Sequence, residues 1–226
     1  MSSMRRDIDN RGFFVVPNVL SVPQCDAAIS EIASHISARP GSRSLMDDPW
    51  CQDLALALKR DSRIASVLPD AAVAVQCTLF DKSLETNWLV ALHQDLSIPV
   101  RERVDSPQCV TWSVKEGVTF VQPPSPLLAE LIAVRVHLDD CRLDNGPLRV
   151  IPGSHRFGRL SAEEAQAHRS ANGEIACTAS RGAALVMRPL LLHASSKALA
   201  DVPRRILHFL FGPPVLPYGL RWHHAV

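Results

Sequence analysis

The chain has 226 residues, 46% hydrophobic and 21% charged, an ordinary globular composition that excludes wholesale disorder and collagen-like repeats. Its 24 Lys and Arg against 23 Asp and Glu leave a formal charge of +1, so bulk electrostatics give no reason to expect nucleic acid or an anionic membrane as a partner. Seventeen prolines against ten glycines point to many loops and edges, not to a helical bundle. The six cysteines, at 25, 51, 77, 109, 141 and 177, form no CxxC pair and read as reduced, buried hydrophobes of a cytoplasmic protein. Asp7, Asp9 and Arg11 stand where a signal peptide needs an apolar run. The most apolar stretch, residues 127–138, is broken by Glu130 and Arg135, so no membrane span is expected.

In chain order, residues 12–16 read as a short strand. Ser21 and Gln24 then form a capping box with Pro23 in the first turn, and Cys25, Ala28, Ile29, Ile32 and Ile36 follow at helical spacing, up to a stop at Arg39-Pro-Gly41. A second apolar-periodic stretch covers residues 49–59, and a short helical turn is expected before Pro69. The character changes at Ala71. Residues 71–81, 88–92, 109–114, 133–138, 148–151, 183–188 and 204–211 are short runs rich in Val, Leu, Ile and Phe, bounded by turn formers, and read as strands. Asn145-Gly-Pro147 and Pro152-Gly153 are turns between them, and Ser161 to Glu164 is a second capping box opening a short helix. Helices first and strands after favour an antiparallel barrel or sandwich with helices on its outside. One domain is expected over residues 1–226: a helical part over 1–70, a barrel core over 71–212 and a tail over 213–226, with disorder the default for His223 and His224.

His93-Gln-Asp95 places a histidine and a carboxylate two residues apart, so on an extended strand both point to one face and can hold one metal ion. His137-Leu-Asp139 is a second pair of this form. His137, His155, His168, His193 and His208 are candidates for a further ligand, and His193 stands out because it follows a strand and a tight turn at Pro189. Two histidines and one carboxylate leave three adjacent positions open on an octahedral iron, the facial triad of non-haem Fe(II) oxygenases. Those positions take a bidentate 2-oxo acid and O2, and the far carboxylate of 2-oxoglutarate calls for a rigid, planar cation, which arginine supplies better than lysine. Spacing does not choose between the two His-x-Asp pairs.

The motifs together resemble the phytanoyl-CoA dioxygenase family of Fe(II)/2-oxoglutarate oxygenases, over nearly the whole chain. They are Gly12-Phe-Phe-Val-Val-Pro17 with Leu20-Ser21, and Phe80-Asp-Lys82 with Asn87-Trp88 leading to His93-Gln-Asp95. Further on stand Asp139-Asp140, Asn145-Gly-Pro-Leu148, Ile151-Pro-Gly-Ser-His155, His193-Ala-Ser195 and Arg204. The resemblance implies a mainly β fold, a double-stranded β-helix or jelly-roll barrel of cupin type with flanking helices. It implies Fe(II) on His93, Asp95 and His193. It also implies 2-oxoglutarate as cosubstrate, its distal carboxylate on Arg204 with Ser195 adding a hydroxyl and Arg205 in reserve, and O2 as co-reactant. Lys82 matches a position that is commonly basic and is a further cosubstrate candidate, a solvated surface lysine being the plain alternative. In the same light His155, Asn145, Gly146, Pro152 and Gly153 are structural. The carboxylate ligand favours hydroxylation, or a related desaturation or ring-forming oxidation, over halogenation.

Arg135, His137 and Asp139 alternate with Val134, Val136 and Leu138, so this strand has one polar and one apolar face. Arg135 and His137 are expected to line a substrate pocket that favours a small, carboxylate-bearing metabolite, the alternative being a solvated edge strand. Trp112, with Lys115, Glu116 and Gly117, is a candidate lid or a plain hairpin. The competing functions are a cupin-type metal-dependent isomerase, a dioxygenase that does not use 2-oxoglutarate, and a non-catalytic metal- or ligand-binding protein. The first two leave Ser195 and Arg204 without a role.

Overall fold

The computed structural model describes residues 3–35 and 42–226. In chain order its elements are α1 (Ser3–Asn10), β1 (Phe13–Val16), α2 (Val22–His35), α3 (Pro49–Arg60), α4 (Ser62–Ala65), β2 (Val73–Lys82), β3 (Val90–His93) and β4 (Ile98–Val100). There follow β5 (Val110–Lys115), β6 (Val118–Gln122), α5 (Ser125–Glu130), β7 (Ile132–His137), β8 (Leu148–Val150), α6 (Ala162–Asn172), β9 (Ile175–Cys177), β10 (Ala184–Met187), β11 (His193–Ser195) and β12 (Arg204–Gly212). A large antiparallel sheet runs β1-β10-β7-β12-β2, a smaller one β3-β11-β8-β9, and a third β4-β6-β5. This is a jelly roll, mainly β with flanking helices. Its sheets remain separate and are not closed into a continuous barrel.

The period of two along the strands decides which way each side chain faces. On β7, Val134 and Val136 pack with Leu207 and Phe209 of β12 against the helices, where Ile8, Cys25, Ile32, Cys51 and Leu58 meet them. On the other face, Ala133 of β7 and Leu185 and Met187 of β10 pack with Leu148 and Val150 of β8 and Cys177 of β9, which makes the core between the two sheets. The polar residues Arg135 and His137 share that inner face and are buried. The solvated-edge alternative fails because β7 is a central strand, paired with β10 on one side and β12 on the other.

Both capping boxes form. Ser21 N–H donates to Gln24 Oε1 at 2.8 Å and Gln24 N–H returns to Ser21 Oγ at 3.4 Å, and Ser161 and Glu164 close the other at the start of α6. All six cysteines are free and buried, and among the described residues no helix is long and apolar enough to cross a membrane. The expected stop of α2 at Arg39-Pro-Gly41 lies outside the described residues.

The structure departs from the sequence reading in several places. Helix α1 escapes apolar periodicity because Ile8 is its one fully buried residue. Strands β4, β9 and β11 are three residues each, too short to show a pattern. The segment with Lys115, Glu116 and Gly117 is a hairpin joining β5 to β6, turned by Glu116 and Gly117 at φ +51° and +80°. The tail is ordered, because Leu216, Leu220 and Trp222 are buried and Val226 exchanges backbone hydrogen bonds with Ala74 at 2.8 and 3.1 Å. His224 in turn lies 3.0 Å from Asp47.

Gly182 ties these layers together. Its carbonyl accepts from Val19 and Leu20 at 2.8 and 2.9 Å, and its N–H donates to the His137 carbonyl at 2.8 Å. Its φ is +79°, and a Cβ there would lie 2.2 Å from the Leu20 carbonyl oxygen. Gly182→Ala is therefore expected to destabilise the fold by about 2 kcal/mol or more, read as a lowered urea midpoint at unchanged slope.

Candidate active site

A cavity of about 360 Å³ opens between the sheets, and His93, Asp95 and His193 lie on its wall. His193 on β11 pairs directly with His93 on β3, and their ring centroids are 4.2 Å apart. His93 Nε2 is 3.6 Å from Asp95 Oδ1, and His193 Nε2 is 3.7 Å from Asp95 Oδ2. The three ligand atoms all lie within 4.8 Å of one another.

The tautomers follow from hydrogen bonding. His93 Nδ1 lies 2.8 Å from the Ala91 carbonyl and His193 Nδ1 lies 2.8 Å from the Leu191 carbonyl. A carbonyl only accepts, so each Nδ1 carries a hydrogen, and in the neutral ring this leaves Nε2 bare and facing Asp95. Two ring nitrogens and a carboxylate converging within 4.8 Å form a donor set that fits a divalent transition metal. Burial acts to raise the Asp95 pKa, but the neighbouring His193, His93 and His208 outweigh it and hold the carboxyl well below the usual carboxylate range. His193 is pushed down to about 4, chiefly by burial, against the pull of Asp95. Burial lowers His93 too, but Asp95 prevails and raises it.

Gln94, read from sequence only as the middle of the motif, is buried and fixes the loop. Its side-chain amide donates to the Gly158 and Leu190 carbonyls at 2.7 Å each, and its Oε1 accepts from Leu160 N–H at 2.9 Å. Asp95 N–H adds a bond to the Pro189 carbonyl at 2.9 Å. The only sign in the sequence is that a residue between two inward-pointing neighbours on a strand must point outward, here into protein.

A cluster of cations sits further along the cavity. Arg204 and Lys82 face each other across β12 and β2. Lys82 is fully buried and donates to Ser195 Oγ at 3.0 Å and the Ser196 carbonyl at 2.8 Å, with its ammonium 5.2 Å from the Trp88 ring centre. Burial, then the charges of Arg204 and Arg135, bring the Lys82 pKa down to about 8. Arg204 Nε donates to the Asn145 carbonyl at 3.0 Å, and Asn145 closes its own turn through Arg142 N–H and the Asp140 carbonyl, at 2.8 Å each. Arg205 points to the other face, as strand alternation requires, and makes a two-pronged pair with Asp139 at 2.8 Å. Asp139 is thereby committed, so the second His-x-Asp pair does not assemble as a metal site.

Arg135 lies on the cavity wall, with its guanidinium 5.0 Å from the Phe80 ring centre and its Nη1 2.8 Å from His208 Nδ1. Its Nε is buried without a partner, and burial followed by the charge of Arg204 lowers its pKa to about 10. His137 and Trp112 do not line the cavity. His137 points between the sheets with both ring nitrogens unpartnered, and burial pushes its pKa down to about 3. Trp112 packs against the inner core and donates to the Cys109 carbonyl at 3.2 Å. His155 Nε2 meets the Asp9 carbonyl at 3.2 Å, remote from the cavity.

A model of the phytanoyl-CoA dioxygenase family matches residues 8–206. The chain belongs to this family. Family membership agrees with the Fe(II), 2-oxoglutarate and O2 expected from the motifs, and with an enzyme that depends on them. Among solved structures, EctD from S. alaskensis in its apoform is 18% identical with a TM-score of 0.70, over 100% of this chain and 86% of that one. HygX from Streptomyces hygroscopicus with iron bound is 17% identical with a TM-score of 0.68, over 100% and 98%. The epimerase SnoN from nogalamycin biosynthesis is 14% identical with a TM-score of 0.65, over 96% and 89%. At these identities the likeness establishes the fold. No curated protein matches the chain by sequence.

Replacing Gln94 by leucine removes all three anchors of the loop. Co(II) affinity in Gln94→Leu is expected to fall by about tenfold or more, measured by titration of the metal's visible absorption, with the circular dichroism spectrum unchanged.

Proposed function

We propose that the protein is an Fe(II)/2-oxoglutarate-dependent oxygenase that hydroxylates a small, carboxylate-bearing metabolite, releasing succinate and CO2. The observation that carries this reading is the pairing of the His93, Asp95 and His193 cluster with an unpaired, buried arginine in the same cavity. Fe(II) would be held by those three residues and would supply activation of O2 coupled to oxidation of the 2-oxo acid. Arg204 and Ser195 would take the distal carboxylate of 2-oxoglutarate, with the Lys82 hydrogen bond to Ser195 Oγ supporting that role. A metal-dependent isomerase would leave this cationic end of the cavity without a purpose.

The charge of the cavity supports an anionic substrate. Arg43, Lys82, Lys115, Arg135 and Arg204 line it, against one carboxylate, Asp95. Lys82, Arg135 and Arg204 are buried, and no carboxylate lies within ion-pair distance of them among the described residues. Burying unpaired cations is costly, and the cosubstrate's distal carboxylate answers the Arg204 end alone. Arg135 is left to pair with a carboxylate of the substrate, where its planar fork gives a two-pronged contact. The family name points to an acyl-CoA; the cavity offers charge for a small free acid.

The reading is tested by coupled turnover. Succinate is expected to form with Fe(II), 2-oxoglutarate and O2, and to rise with the right member of a panel of small carboxylic acids. Arg204→Ala should raise the 2-oxoglutarate requirement by about 30-fold, the loss of roughly 2 kcal/mol for one partner of a buried charge pair. Arg135→Met should instead raise KM for the acid and leave that for 2-oxoglutarate within about threefold. Absence of succinate under every condition, with metal bound, contradicts the proposal.

A further inference from the structure

A third histidine reaches the metal cluster, and its hydrogen-bond pattern is the reverse of the other two. His208 stands on β12 directly opposite Arg135 of β7 in the sheet register. Its Nε2 lies 3.9 Å from Asp95 Oδ2, the oxygen that also faces His193. Its Nδ1 lies 2.8 Å from Arg135 Nη1. An arginine nitrogen only donates, so His208 Nδ1 must be the acceptor, and the ring's single hydrogen sits on Nε2. In His93 and His193 a carbonyl on Nδ1 bares Nε2 for a metal; in His208 a guanidinium on Nδ1 puts a hydrogen there. A protonated ring nitrogen does not coordinate, and it is aimed at the carboxylate.

We propose that His208 is a positioning residue for the metal site: Arg135 holds it as the Nε2–H tautomer, and the N–H, 3.9 Å from Asp95 Oδ2 and so just beyond hydrogen-bond length, draws the carboxylate ligand toward it and orients it. The ring is otherwise fixed on one side by Phe80, at 5.9 Å and 85° between planes, so its Nε2–H has little freedom to turn elsewhere. This rests on the metal site proposed above. It also explains how a cavity lined by three histidines and one carboxylate would keep three protein ligands and leave the remaining metal positions to the cosubstrate and O2.

The test is Co(II) affinity in the full chain, with folding of each metal-free variant checked by thermal melting. His208→Leu removes the donor and is expected to weaken Co(II) binding by about tenfold. His208→Gln keeps an N–H for Asp95 and an oxygen for Arg135, and is expected to bind within about threefold of wild type. Leucine binding as tightly as wild type overturns the proposal, as does glutamine binding as weakly as leucine. Nitrogen-15 spectra of the histidine rings in the metal-free wild type supply a second measurement that needs no variant. A hydrogen on His208 Nε2 is expected, and one on Nδ1 overturns the proposal. Wild type that binds Co(II) no tighter than Asp95→Ala overturns the metal site itself, and this inference with it.

Discussion

Two backbone carbonyls decide the chemistry of this cavity. The Leu191 and Ala91 carbonyls each take the Nδ1 hydrogen of a histidine two residues further along the chain, and so bare the Nε2 atoms that face Asp95. Because β3 and β11 are antiparallel neighbours with His93 opposite His193, one register fixes both rings together. A slip of one residue in either strand would turn its histidine to the other face of the sheet and away from the other one. The site is thus a property of strand pairing, and the Gln94 anchors keep the strand end from drifting.

The rest of the fold serves this register. Helices α1 to α4 cover the outer face of the large sheet, which frees its inner face to carry polar residues. On β2, β7 and β12 those residues include Thr78, Lys82, Arg135, Arg204 and His208, all buried. Four of the five cations on the cavity wall lie on strands, Lys82, Lys115, Arg135 and Arg204, so their positions are held by hydrogen-bonded ladders rather than by mobile loops. Positioning of this kind is what an oxygenase needs, since the protein's part is to orient a C–H bond and keep water out while the cofactor does the oxidation.

Much of this was legible in the sequence where local chemistry is decisive. Capping boxes at Ser21 and Ser161, turns at Asn145 and Gly153, and the alternation around Arg135 rest on short-range rules and match the fold. Alternation put Arg135 on one face but said nothing of which polar residues on that face reach the cavity, and His137 lies beyond it. Trp112 was placed by proximity in sequence to the metal-bearing region, whereas its indole packs into the inner core. The side-chain partners of Gln94, Arg135 and Arg205 are 64 to 96 residues away, for example Leu190 for Gln94, Asp139 for Arg205 and His208 for Arg135. Long-range pairings of this kind have no local signal. The ordered tail illustrates the same limit: Trp222 is buried against strands whose arrangement the last residues alone do not reveal.

The central claim is that His93, Asp95 and His193 hold iron while the arginine end of the cavity holds 2-oxoglutarate. An anaerobic titration with Fe(II) and then 2-oxoglutarate, followed through the weak visible charge-transfer band of the chelate, addresses it directly. The account predicts a band that saturates at one cosubstrate per chain and is lost in His193→Ala. Fe(II) binding with no band in the wild-type protein would contradict it.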